Sequence, residues 1–290
     1  MTLRYLFRPT NRKVRLVVGL MLTALFCIQC VGTSDADKKP ENFSVVISGK
    51  TVGENAPAVL QKVEHLAKTD QAELLAYCRK AYQERFSDYT ATLIKQERLG
   101  SKLSDVQTIH CKYLKNPYSV ALAWQENAGR ADRVLFVRGK YGNQMLVRPK
   151  GFLSFIGTVK RDPDGKDAMK STLRPVNQFG FGNSLEDLEK VYRLAEKRGD
   201  LETEFKGFGS HEETGRKAAI LERRLPPKDD YPAARTIVYI DTEYLVPTIV
   251  EGYDQDGNLL CRYIFKDIKF NVGLTEDDFL PENNDMKPVK

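Results

Sequence analysis

Alternation of apolar and polar residues between positions 86 and 149 is the feature that most constrains this fold. In the clearest run, Tyr118, Val120, Leu122 and Trp124 occupy one face and the residues between them occupy the other. A period of two indicates a half-buried β-strand, because a helix repeats every 3.6 residues. Similar runs, separated by turn residues, lie at 89–98, 107–114, 133–138 and 144–147. This spacing is typical of antiparallel hairpins, so we expect one curved sheet as the scaffold.

The last third of the chain returns to the strand pattern. Its runs lie at 202–208, 217–225, 236–241, 245–253 and 258–270. Asp256 and Gly257 stand where a tight hairpin between the last two runs requires them. These residues therefore predict a second series of antiparallel strands.

Helical periodicity occupies two other regions. Apolar residues recur every three or four positions in 58–86, and Asp70 stands before a glutamate where a capping box would divide the run into two helices. Another helix is expected at 184–198, begun by Ser184 and ended by Gly199. An amphipathic helix packs its apolar stripe on a neighbouring sheet. The expected fold class is α+β, with a curved antiparallel β-sheet packed on helices.

The N-terminus has the layout of a secretory signal. A basic segment through Arg15 precedes an uncharged apolar run at 16–31 and a small, polar segment at 32–37. Residues 1–36 are therefore expected to be a signal peptide that exports the protein to the periplasm or cell envelope. Two alternatives stay open: an uncleaved anchor that associates with the membrane, and lipid attachment at Cys27 or Cys30.

The rest of the chain divides by composition. Residues 37–57 are polar and aperiodic and are expected to form a disordered linker. The folded domain is expected at 58–280, followed by a flexible tail at 281–290. Five basic residues and one acidic residue in the first 36 positions supply +4 of the formal charge of +6. The nearly neutral remainder argues against nucleic-acid binding.

Catalytic and metal-binding patterns are not recognised in the sequence. The three histidines, His65, His110 and His211, stand outside any catalytic signature, and a hydrolase would need His110 or His211 to meet a serine or aspartate in a cleft. The acidic runs fit solvated faces better than ligand sets. We therefore expect no enzyme activity, no catalytic residues, no metal site and no cofactor.

Three cysteines, Cys78, Cys111 and Cys261, lie beyond the signal. Their odd number leaves at least one thiol unpaired outside the cytoplasm. Buried free thiols are the favoured interpretation, and a Cys111–Cys261 bridge is the alternative.

The order of several short motifs resembles that of a known family. The motifs lie at 88–92, 95–98, 117–120, 173–176, 180–183 and 240–279. Over residues 58–279 the chain is similar to a bacterial secreted domain-of-unknown-function family, number 1571, whose fold resembles the lipoprotein carrier LolA and the receptor LolB. The resemblance implies a half-open barrel wrapped around helices with an apolar cavity between them. It carries over no binding residues.

These expectations combine into a functional hypothesis. The concave face would bind a lipid or the acylated end of a lipoprotein, with one wall made by Tyr118, Leu122 and Trp124. Apolar residues on loops would line or gate the cavity: Phe152, Phe155, Ile156, Phe179 and Phe181. Entry would displace a helix or the flap at 152–156, although the run at 150–157 also fits a buried strand. The alternative is a non-enzymatic envelope scaffold or interaction domain whose core is filled.

Overall fold

Two series of antiparallel strands form a single sheet, and in the sequence a long helix separates the two series. The computed structural model describes residues 56–287, apart from the side chain of residue 153. The helices of this range are α1 (Ala56–Thr69), α2 (Gln71–Arg85), α3 (Lys166–Met169) and α4 (Phe181–Arg198). The first strand series is β1 (Asp88–Leu99), β2 (Lys102–Leu103), β3 (Gln107–Leu114), β4 (Ser119–Glu126), β5 (Ala131–Val137), β6 (Met145–Pro149) and β7 (Val159–Arg161). The second is β8 (Glu202–Ser210), β9 (Lys217–Arg224), β10 (Arg235–Asp241), β11 (Pro247–Tyr253) and β12 (Leu259–Phe270).

The sheet is open. Its strand order is β7-β6-β5-β4-β3-β1-β12-β11-β10-β9-β8, and β2 pairs only with the end of β1. The pairing of β1 with β12, which sets Leu93 opposite Phe265, joins the two series. Since β7 and β8 end the sheet on opposite sides, the strands do not close into a barrel. The expected α+β fold, a curved antiparallel sheet packed on helices, is confirmed.

The helix boundaries follow local capping. Asp70 begins α2, and its Oδ1 accepts a hydrogen bond from the Glu73 N–H at 2.8 Å, as the sequence predicts. The start predicted for α4 is wrong by three residues, because Ser184 lies inside the first turn and donates its N–H to the Gly180 carbonyl. Gly199 ends α4 in the left-handed conformation, as expected.

Helices α2 and α4 pack on the concave face of the sheet. From the helices, Leu75, Tyr82, Phe181 and Tyr192 are each at most 2% exposed, and together with strand residues they form the principal core. The region beneath the helices is filled by aromatic rings. Its centre-to-centre distances include 3.8 Å for Phe86–Phe270, 4.9 Å for Tyr89–Tyr113 and 4.9 Å for Tyr89–Phe181.

The chain after β12 covers the opposite, convex face. Phe279 and Met286, 1% and 3% exposed, pack on Leu135 and Leu146 of β5 and β6. The sequence places a flexible tail from residue 281, whereas the structure holds this segment on the sheet as far as Met286. A single methionine in a polar, Pro-flanked stretch gives no periodicity from which such packing could be read.

Cys78, Cys111 and Cys261 are buried free thiols, so the alternative of a Cys111–Cys261 bridge is wrong. Strand β1 lies between β3 and β12 and separates the two residues by two inter-strand spacings of about 4.8 Å. That distance exceeds the reach of a disulfide.

The signal-peptide, anchor and lipidation predictions, and most of the linker prediction, lie outside the described residues. Among residues 56–287, no helix has the length and apolar character needed to span a membrane.

Candidate functional site

Two of the three predicted wall residues, Leu122 and Trp124, share one face of β4, and Tyr118 immediately precedes the strand. Leu122 and Trp124 are half-buried, and they form an apolar cluster with Ile109 and Cys111 of β3 and with Phe179. The Trp124 Nε1–H donates to the Gln107 side chain at 3.2 Å. Leu122, Trp124 and Phe179, three of the eight predicted site residues, therefore meet on the concave face.

The other five predicted residues belong to different surroundings. Tyr118 is 7% exposed and lies near the helices, and Phe181 is fully buried as the first residue of α4. By contrast, Phe152, Phe155 and Ile156 lie on an exposed 3-10 turn (Gly151–Ile156) between β6 and β7. The interpretation of 150–157 as a buried strand is wrong. Its two glycines adopt positive φ at the ends of the turn, and the chain leaves the sheet there.

Strand register aligns apolar side chains across the first half of the sheet. We call this set the apolar row: Val159, Val147, Val134, Leu122, Cys111 and Ala91, each paired with the next across adjacent strands. Cys111 and Ala91 are buried at 0% and 2% exposure, whereas the four members from β4 to β7 are half-buried. The row thus leads from the β7 edge of the sheet into the core, over about 24 Å at 4.8 Å per strand.

A segment without long regular structure crosses the concave face beside this row. We call residues 162–180 the strap. Its Ala168 packs on the principal core and its Phe179 on the Leu122–Trp124 cluster. The Tyr118 hydroxyl lies 3.0 Å from the Val176 carbonyl oxygen and 2.9 Å from that of Phe179. The hydroxyl can donate its single proton to either oxygen, and this hydrogen bond holds the strap near the helices.

A buried carboxylate fastens the middle of the strap. Glu97 is 1% exposed, and its Oε2 accepts the backbone N–H of Leu173 at 3.2 Å and pairs with Lys95 Nζ at 3.0 Å. Its Oε1 accepts the Tyr263 hydroxyl at 2.6 Å and the Thr172 hydroxyl at 3.3 Å. Burial, and next the nearby Glu97 charge, raise the pKa of Tyr263 well above its ordinary value, so its hydroxyl keeps its proton.

Sequence reasoning missed Lys95 and Glu97 as parts of the site. The alternation in β1 does contain a signal. Lys95 and Glu97 lie an even number of residues from Leu93, so their side chains point to the same, core-facing side of the strand. Charged side chains at core-facing positions are expected to form buried hydrogen bonds or ion pairs. Their partners Thr172 and Leu173 are 75 to 77 residues away, outside any helix or strand pattern in the sequence.

Two clefts lie on the surface, and the larger of the two is mainly polar. One, of about 670 Å³, lies where Arg138, Asp162, Asp164 and Asn177 meet beside Phe136. The other, of about 210 Å³, lies on the convex face and includes His110, whose pKa is lowered by burial and then by Lys112. Within residues 56–287, no three or more His, Cys, Asp or Glu side chains are grouped so that they could hold a metal ion.

The fold and the site together define a class of protein: an open antiparallel half-barrel wrapped around helices, with a strap across its concave face. Within that class, the chain belongs to the family described as Protein of unknown function (DUF1571), whose model matches residues 86–287. The family expected from the sequence motifs is confirmed. No curated protein gives a significant match to the chain.

Several solved structures resemble the chain in part. MucB is 15% identical, with a TM-score of 0.45 over 73% of this chain and 63% of MucB. The chain therefore spans less than two thirds of MucB. A LolA superfamily protein from Nitrosomonas europaea is 10% identical, with a TM-score of 0.30 over 80% of this chain and 100% of that protein. The lipoprotein LppX of Mycobacterium tuberculosis is 13% identical, with a TM-score of 0.39 over 71% of this chain and 99% of LppX.

Proposed function

We propose that this is an exported, non-enzymatic envelope protein that binds a lipid acyl chain, or the acylated end of a lipoprotein, between the strap and the apolar row. The observation that carries the proposal is the burial gradient along the row. Val159, Val147, Val134 and Leu122 are half-buried, whereas Cys111 and Ala91, further along the row, are buried. A half-covered concave apolar surface suits a chain-like ligand.

The strap is the element that the ligand would displace. It is held in part by a few hydrogen bonds, and a segment held in this way opens more easily than a well-packed apolar core. The hydrogen bonds from Leu173 and Thr172 to the charged Glu97 carboxylate each contribute about 1.5–3 kcal/mol, and the one from Tyr118 to the strap carbonyls contributes about 0.5–1.5 kcal/mol. Burying ten methylenes contributes about 8 kcal/mol. The ligand's burial therefore exceeds the loss of these few hydrogen bonds, and strap displacement is energetically accessible.

This mechanism differs from the entry route predicted by the sequence. The turn bearing Phe152 and Phe155 lies exposed at the β7 edge and does not cover the row, so it need not move to admit a ligand. The helices are held by the packed rings beneath them. Phe179 and Ala168 of the strap are the side chains that a ligand would replace on the sheet.

Trp124 provides a direct test, since it is the single tryptophan of the chain and borders the row. Delipidated protein would be titrated with a fatty acid carrying a spin-label quencher on its chain. We expect saturable quenching of Trp124 that unlabelled fatty acid reverses. Val134→Asp, which puts a charge on the row, should weaken the quenching, whereas Ala123→Asp on the opposite face of β4 should not.

The packed rings beneath α2 and α4 favour a second candidate, an envelope interaction domain that takes up no ligand. It predicts quenching of Trp124 no greater than that by a water-soluble quencher at the same concentration. It also predicts that mass spectrometry finds no lipid in the protein purified from the envelope fraction. Those two results together would rule out the acyl-chain proposal.

A further inference from the structure

The six-residue turn Gly151–Ile156 exposes an unusual amount of apolar surface. Phe152, Phe155 and Ile156 are 88%, 73% and 51% exposed. The phenylalanine rings contact each other edge to face, at 5.7 Å between centres. Isolated apolar residues on a surface are ordinary, but a contiguous aromatic group marks an interaction site.

The backbone presents this turn away from the body of the protein. Gly151 and Gly157, at its two ends, have φ of +69° and +79°, a region that favours glycine. A Cβ atom at Gly151 would meet no heavy atom within 4 Å. The turn therefore projects from the β7 side, where the sheet ends.

Basic residues flank the turn on both sides in the sequence. Between Met145 and Arg161 the chain has four basic residues and no acidic residue. Of the four, Arg148 is paired with Asp132 at 2.8 Å, while Lys150, Lys160 and Arg161 are exposed. Arg130 adds an exposed cation next to Lys150, since its carbonyl accepts the Lys150 N–H at 2.8 Å.

We propose that this turn docks the protein on an anionic lipid bilayer. Phe152, Phe155 and Ile156 would enter the interface between headgroups and acyl chains, and Lys150 and Lys160 would lie against lipid phosphates. Charge complementarity selects this occupant, because an aromatic tip flanked by cations matches a layer that is apolar inside and anionic outside. The site is separate from the acyl-chain site proposed above, although Val159, at the start of the apolar row, is three residues from Ile156.

The test places a tryptophan at the tip. Phe155→Trp in a Trp124→Phe background leaves one reporter at position 155, and the exposure of Phe155 allows the substitution without repacking. With the full chain and vesicles containing phosphatidylglycerol, we expect its emission to shift to shorter wavelength and to be quenched by brominated acyl chains. This local readout is independent of any attachment through the N-terminal segment.

Two further variants make the test decisive. Lys150→Glu with Lys160→Glu should weaken the apparent affinity by about tenfold or more, and vesicles of phosphatidylcholine alone should give a similar loss. Val272→Trp in the same background, at an exposed apolar position elsewhere, should show neither shift nor quenching.

Four outcomes would overturn the proposal. They are no quenching at position 155, equal quenching at 155 and 272, indifference to lipid charge, and a blue shift without vesicles, which would indicate docking on protein. The acyl-chain proposal is tested separately, because Phe152→Ser with Phe155→Ser should leave fatty-acid quenching of Trp124 unchanged. A loss of fatty-acid quenching in that variant would show that the two sites are not independent and would contradict this docking role.

Discussion

The buried carboxylate of Glu97 accepts the backbone N–H of Leu173, with 3.2 Å between Oε2 and N, across 76 residues of sequence. This contact fixes the strap to the first strand of the sheet. It joins two of the short motifs by which the sequence resembles its family, 95–98 and 173–176. Neither motif carries recognisable chemistry alone.

Glu97→Ala should destabilise the protein strongly, because it leaves Lys95, the Tyr263 hydroxyl and the Leu173 N–H without their buried partner. We expect a loss of about 3 kcal/mol in the free energy of unfolding, measured with urea. Glu186→Ala is the matched control, since Glu186 also pairs with a lysine, at 2.6 Å, but its side chain is 47% exposed. That change should cost less than about 1 kcal/mol. Equal losses would contradict a buried anchor.

The same substitution should loosen the strap before the rest of the fold. Native-state proteolysis of Glu97→Ala is expected to cut within 162–180 under conditions in which the unaltered protein resists. Cleavage spread evenly over the chain would instead indicate global unfolding.

Gly180→Ala, at the junction of the strap and α4, should lower the free energy of unfolding. Gly180 has φ +109°, and an added Cβ would lie 2.8 Å from Tyr113 Cε2 in the core. We expect a loss of about 2 kcal/mol or more in the free energy of unfolding. Gly199→Ala at the other end of α4 meets nothing within 4 Å and should cost about 1 kcal/mol, through its φ of +69° alone. Urea denaturation of the two variants compares them directly.

The carboxyl group of Asp132 should make the stability of the protein depend on pH in the acidic range. Two hydrogen bonds from Arg148, at 2.8 and 2.9 Å, lower the pKa of its carboxyl group below the ordinary value. Because the folded pKa is below the unfolded one, this stabilisation is complete above the unfolded pKa of about 3.9 and disappears as pH falls through the folded value. Asp132→Asn should therefore lower stability by about 1 kcal/mol at pH 7 and have less effect near pH 3. A difference that stayed constant with pH would contradict this account.

The three thiols should be unreactive while the protein is folded. Burial raises the pKa of Cys78 and Cys261 to about 12 and raises that of Cys111 as well, so the reactive thiolate is scarce. Iodoacetamide at pH 8, followed by peptide mass spectrometry, should modify them in urea and leave them intact in buffer. Rapid native alkylation of Cys111 would show that the sheet around it opens.

Local sequence pattern determined most of the fold. The period of two identified the strands, Asp256 and Gly257 marked a hairpin, and Asp70 marked the division between α1 and α2. Each signal comes from residues a few positions apart, where backbone geometry and side-chain direction are set by near neighbours. The same parity placed Leu122 and Trp124 on one face of β4, whereas Tyr118 lies just before the strand. Phe152 and Phe155 carried no such pattern, and the sequence could not say whether they were covered.

Only the tertiary structure decided which parts of that face are covered, and by what. The pairing of β1 with β12, the route of the strap and the packing of Met286 join residues far apart in the chain. Periodicity distinguishes two faces of a strand but holds no information on distant partners, because a buried hydrogen bond such as that between Leu173 and Glu97 depends on where the whole chain returns. The exposure of Phe152 and Phe155 has the same origin, since the sheet ends at β7 and no other segment of the described chain covers them.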